Sequence, residues 1–170
     1  RRGAKSSQPR YYLDLHRERR KQAAGETAYT PAVSLVAGLD VALGLLLAEG
    51  VDAVWRRRAT LNAGLLAAGV ALGMRPLAQR PSPAVAALLV PEGVGAPAVV
   101  AAAMARGAVI AGGQDELKPV LIRPSLLGHA DRYDALGAAQ LIEDALADVW
   151  AAAPRGVAAP AALRAMDGVE

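Results

Sequence analysis

From Thr30 to Gly73 the stretch "TPAVSLVAGLDVALGLLLAEGVDAVWRRRATLNAGLLAAGVALG" repeats apolar residues at helical spacing with one break, at Glu49-Gly50. Thr30 stands as an N-cap with Pro31 at the first helical position, a strong start signal. Leu35, Val36, Leu39, Leu43, Leu46 and Leu47 then recur at three and four, one stripe of a helix. Beyond Gly50 a second helix places Val51, Val54, Trp55, Arg58, Leu61, Leu65 and Leu72 on one face, with Gly73 as its stop. Two long helices in succession leave the rest of the chain to supply the layer they pack on.

That layer reads as short strands and further helices. Ahead of the long helices, "SSQPRYYLDL" reads as extended, and a short polar helix follows, ending near Gly25. After Gly73 comes a Pro-rich connector, then "AVAALLV" (Ala84 to Val90), suited to a buried strand. Pro91-Glu92-Gly93 turns the chain, and Pro97 opens a helix ending at Gly107. The strand "AVIA" (Ala108 to Ala111), a loop from Gly112 to Leu117 and the strand "PVLIR" (Pro119 to Arg123) come next. Asp131 caps a final helix with Leu136, Ala139, Ile142, Leu146 and Val149 as its stripe. From Ala151 onward the Ala/Pro/Gly-rich tail is expected to be mobile. The order predicts an α+β fold: a small, mainly antiparallel or mixed sheet with helices packed on one face.

Composition narrows the function classes. The chain is 54% apolar but only 4% aromatic, without phenylalanine, so its core depends on close backbone packing. No segment reaches the roughly 18 uninterrupted apolar residues of a membrane span, and no signal peptide opens the chain, so no membrane is expected and the location is cytoplasmic by default. Without cysteine there is neither a disulfide framework nor a thiolate metal site. Between Arg1 and Lys21 eight Lys or Arg stand against Asp14 and Glu18, while the remainder is net acidic. The run "RERRK" (Arg17 to Lys21) reads as a solvated helix face, and no nucleic-acid partner is expected.

Few residues offer chemistry. The two histidines and scattered carboxylates have no metal-ligand spacing; His16 reads as a surface residue, and His129 either as a proton carrier or as part of a loop or cap. There is no nucleophile elbow and no phosphate-binding glycine loop of recognised form. What stands out is "PVLIR", an apolar strand closing on a charge. Arg123 either pairs with a carboxylate such as Asp131 or Asp134, or holds an anionic ligand by two parallel hydrogen bonds. Gly112, Gly113 and Gln114 close the preceding strand. Tyr29 and Thr30 stand where a helix N-terminus offers N–H groups and a positive dipole to a phosphate.

Three segments together resemble the C-terminal part of class V aminotransferases of the serine–pyruvate and alanine–glyoxylate branch. They are "PRYYLDL" with "ETAYTPAVSLVAGLDVAL", then "LLLAEGVDAVWRRRATLNAGLLAAGVALGM", then "VIAGGQDELKPVLIRPSLLGHADRYDALGAAQLIEDAL". The resemblance implies the small domain of a fold-type I enzyme, a homodimer, and pyridoxal phosphate held by a large N-terminal domain as an aldimine to a lysine. It implies three domain segments: 1–30 as an edge of the large domain, 31–150 as linking helix plus small domain, and 151–170 as the tail. It implies that Arg123 grips the α-carboxylate of a small amino acid or 2-oxo acid, and that Gly112, Gly113 and Gln114 lie near the substrate entrance. Tyr29 or Thr30 would reach the cofactor phosphate of the partner subunit. Lys5, Lys21 and Lys118 all match other parts of the pattern, so no catalytic residue is expected within this chain, and no metal. The competing expectation is a non-catalytic α+β module that dimerises through the face of Leu35 to Leu47.

Overall fold

The computed structural model describes residues 9–168, which fall into two compact units divided between Ala48 and Glu49. The division falls at the end of the first long helix rather than at residue 30.

In the first unit, Tyr11, Tyr12 and Leu13 form a turn and not the extended segment expected of "PRYYLDL". Ring packing explains it: Tyr29 meets Tyr11 and Tyr12 at centroid distances of 5.2 and 4.6 Å, which folds the segment back on itself. Helix α1, Leu15–Gln22, follows directly. Its cap is Asp14, whose carboxylate accepts the N–H groups of His16 and Arg17 at 3.0 and 3.1 Å. Helix α2, Val33–Glu49, starts later than Thr30-Pro31 suggested. Its first carbonyl bond runs from the N–H of Val36 to Ala32, so Thr30 lies outside the helix and caps nothing. No residue of α2 is buried, the stripe of Leu35, Leu39 and Leu43 included.

The second unit holds the core. Helix α3, Val51–Ala71, buries Leu61, Leu65 and Ala68. Four very short strands follow in the order β1-β2-β4-β3, all antiparallel: β1 Arg75–Pro76, β2 Leu88–Leu89, β3 Ala111–Gly112 and β4 Leu121–Arg123. Helix α4, Ala96–Ala105, connects β2 to β3. Helix α5, Arg132–Val149, follows β4, and helix α6, Ala158–Asp167, follows α5. Leu88 and Ile122 pair across β2 and β4 and are fully buried with Leu65, Leu72, Ile142 and Leu146. Each such side chain contributes about 2 kcal/mol through burial. Small residues permit the close packing: a Cβ added at Gly69 on α3 would lie 2.5 Å from Leu88 of the sheet.

The tail departs from expectation. Residues 158–167 fold as α6, with Ala158, Ala162 and Met166 at spacings of four buried against the core. Small side chains, read from composition as a reason not to pack, here let α6 lie close to α3: a Cβ at Gly64 would meet Met166 at 2.9 Å. No single helix among the described residues is long and apolar enough to cross a membrane.

Candidate carboxylate site at the end of β4

Alternation along β4 separates its side chains. Ile122 is fully buried toward the helices, so its neighbour Arg123 projects from the opposite face and is half-buried. Across the β3–β4 pair Arg123 sits opposite Ala111, and Ile122 opposite Gly112. The Arg123 Nε donates to the carbonyl of Gly112 at 2.7 Å. The ion pair with Asp131 or Asp134 does not form. Those two carboxylates instead build the cap of α5: Asp131 accepts from the N–H groups of Tyr133 and Asp134 at 2.7 and 3.1 Å, and Asp134 accepts from the N–H of Asp131 at 2.9 Å. Arg123 forms no salt bridge among the described residues.

The glycine loop is fixed by its backbone. Gly113 donates to the Leu121 carbonyl at 2.8 Å, and the chain then makes a single 3-10 turn over Asp115–Leu117. A Cβ on Gly113 would lie 2.1 Å from the Leu117 oxygen, so no side chain fits there. Gln114 is exposed at the start of that turn, as is Lys118 at its end. The structure thus brings Arg123, Gly112 and Gly113 together.

Beyond Arg123 the chain is anchored at several points. The carbonyl of Pro124 accepts the N–H of Ala86 at 3.0 Å, and the Ser125 hydroxyl donates to Ala84 at 2.7 Å. Further on, Arg57 and Arg58 of α3 hold the turn "LGHADRYD". Arg57 Nη1 donates to the Ala130 carbonyl at 2.8 Å, and Arg58 Nη2 donates to the Gly128 carbonyl. Arg57 also meets both oxygens of Glu49, at 2.7 and 2.8 Å, which holds that carboxyl below its usual range. Burial, then the charge of Arg57, lowers Arg58. Sequence reading missed this clamp: it put Arg58 on the packed face of the helix and gave Arg57 no role, because the acceptors are backbone carbonyls far along the chain. His129 is exposed within the clamped turn. On the helix side of the same strand end, an apolar cavity of about 260 Å³ is lined by Leu65, Ile110, Pro124, Leu126 and Leu141.

In the first unit, Tyr29 has spent its hydroxyl proton on the carbonyl of Tyr11 and accepts from Arg17 Nη1 at 3.2 Å. Thr30 is exposed and makes no side-chain hydrogen bond among the described residues. Lys21 is tied to Glu26 at 2.6 Å, and Lys5 lies outside the described residues. Among the described residues no group of three His, Asp or Glu is placed to hold a metal ion.

No family model matches the chain. It is 38% identical over 124 residues to the serine–glyoxylate aminotransferase of Hyphomicrobium methylovorum, a match covering 71% of this chain and 31% of that protein. The aspartate aminotransferase of Thermus thermophilus, assigned to subgroup IV, superposes with a TM-score of 0.73 at 44% identity, over 84% of this chain and 41% of that one. The chain is related to class V aminotransferases through their C-terminal part. A protein named as the small subunit of a soluble hydrogenase from Synechococcus is also similar, 35% identical over 83% of this chain and 37% of its own length. The aminotransferase homologue therefore spans between about a third and two-fifths of the length of the relatives it matches. Its α+β fold, with a small antiparallel sheet, is that of aminotransferase C-terminal domains.

Proposed function

We propose that this chain serves as the substrate-closing small domain of a pyridoxal-phosphate-dependent aminotransferase. The reaction would move an amino group between a small amino acid, of the alanine or serine type, and a 2-oxo acid such as glyoxylate or pyruvate. The observation that carries the reading is Arg123: a strand-end guanidinium held in place by a backbone carbonyl, with no carboxylate partner among the described residues. A fixed, uncompensated guanidinium suits the α-carboxylate of a substrate.

The residues present suit the edges of such a site. Bound pyridoxal phosphate would supply an electron sink for the carbon bearing the amino group. Arg123 would hold the substrate carboxylate and so orient that carbon, a positioning contribution. Gly112, Gly113 and Gln114 would border the entrance. Thr30 has a hydroxyl to donate to the phosphate of a partner subunit's cofactor, whereas Tyr29 has already committed its proton to Tyr11. We therefore favour Thr30. The exposed stripe of α2 supports a homodimer, since that many exposed leucines on one helix suit coverage by another surface. The proposed location is cytoplasmic.

The test is an assay of the full-length protein reconstituted with pyridoxal phosphate, offering serine or alanine against glyoxylate or pyruvate. Formation of the matching 2-oxo acid and amino acid supports the reading. A protein that holds the cofactor yet transfers no amino group from any small amino acid overturns it.

A further inference from the structure

We infer that the Gly112 carbonyl fixes how Arg123 receives an anion: end-on, through Nη1 and Nη2, with Gly113 as the positioning residue that keeps this carbonyl in place. The inference rests on the reading of Arg123 as a carboxylate anchor and adds its geometry.

A guanidinium can meet a carboxylate with two parallel hydrogen bonds along two edges, one using Nε and one Nη, the other using both Nη groups. In Arg123 the single Nε–H is already donated to Gly112 at 2.7 Å. An anion arriving on the Nε edge would have to share that proton or displace a backbone oxygen. Among the described residues nothing competes for the end-on edge. The carbonyl also stops the long side chain from sampling other rotamers, so less freedom is lost when the ligand docks.

The two glycines have different tasks. A Cβ on Gly112 would find only Val100 Cγ2, at 3.9 Å, an ordinary contact, and alanine there would leave the backbone carbonyl where it is. At Gly113 a Cβ would collide with the Leu117 oxygen at 2.1 Å and its carbonyl carbon at 2.5 Å, both backbone atoms that cannot rotate away. Relief requires moving the β3 end, which is pinned to Leu121 by the Gly113 N–H. Such a shift carries the Gly112 carbonyl away from Arg123.

The experiment uses the full chain with ¹⁵N-labelled arginine, titrated with acetate replacing chloride at constant ionic strength. The Arg123 Nη resonances should shift and their rotation slow, while the Arg123 Hε keeps its position and its protection from exchange. Gly112→Ala should leave the Hε as protected as in the parent. Gly113→Ala should expose the Hε, raising its exchange roughly ten-fold, the loss of one ordinary hydrogen bond. Acetate moving the Hε as much as the Nη groups would overturn the end-on geometry. So would a folded Gly113→Ala chain with the Hε still protected. Should Gly113→Ala not fold, the parent and Gly112→Ala titrations decide. Acetate that moves no Arg123 resonance while the Hε stays protected would sink the carboxylate reading itself, and the end-on docking with it, leaving only the contact to Gly112.

Discussion

The carboxylate of Glu143, in the middle of α5, accepts the backbone N–H of Ala158, the first residue of α6, at 2.9 Å. It also accepts from Gly156 and Val157, at 2.5 and 2.9 Å. Val157 offers α6 no side-chain cap, so a helix elsewhere in the chain supplies one. Burial pushes the Glu143 carboxyl up, but the three N–H groups and Gln140 outweigh it and hold it below the usual range. Glu143→Gln should therefore cost about 2 kcal/mol and lower the Tm by roughly 8 °C. Because the folded-state value is depressed, this stabilisation is complete above the ordinary carboxylate range and drains away as the pH falls through the lower folded value. Thermal melts of both proteins should show the gap at neutral pH and its narrowing in strong acid.

Arg123→Ala in the full-length protein should lower kcat/KM for the amino acid roughly 100-fold, chiefly through KM. The cofactor's absorbance and its affinity should stay as in the parent. Loss of the cofactor with an unchanged KM would show that the residue is a structural strut.

Thr30→Ala and Tyr29→Phe separate the two phosphate candidates. Absorbance titration of the full-length protein with pyridoxal phosphate should show roughly ten-fold weaker binding for Thr30→Ala, the loss of one hydrogen bond to an anion. Tyr29→Phe should bind nearly as the parent. The reverse order would return the role to Tyr29.

The arginine clamp predicts a local effect. Arg57→Ala frees Glu49 and the Ala130 carbonyl and should cost roughly 1.5 kcal/mol. Amide exchange should quicken over residues 124–131 and stay unchanged in α4, Ala96–Ala105. Uniform quickening across the second unit would mean that the clamp supports the whole core rather than this turn.

Where local chemistry dominates, the sequence was readable. Asp131 caps α5 because its side chain reaches N–H groups two and three residues on, and "PVLIR" contains the strand that presents Arg123. Thr30-Pro31 carried the same kind of signal, yet α2 begins at Val33, so a start motif marks a neighbourhood and not a residue. The runs read as strands from Ala84 and Ala108 shrink to two-residue ladders at Leu88–Leu89 and Ala111–Gly112, because their partners pair over so short a length. The tail and the Nε bond of Arg123 were illegible for a shared reason. Each depends on a partner outside its own segment: Glu143 of α5 caps α6 across the intervening loop, and Arg123 is held by the Gly112 carbonyl, a backbone oxygen that has no letter in a sequence.

Arg123 and Gly112 are only eleven residues apart, on adjoining strands of one hairpin. Closing a loop of that size takes on the order of 10–100 ns and little entropy, far less than docking α6 onto α3. The two halves of the proposed carboxylate site can therefore meet early in folding. They also travel as one short cassette when sequence is shuffled: a recombination breakpoint anywhere outside residues 111–123 leaves guanidinium and carbonyl on the same piece of chain.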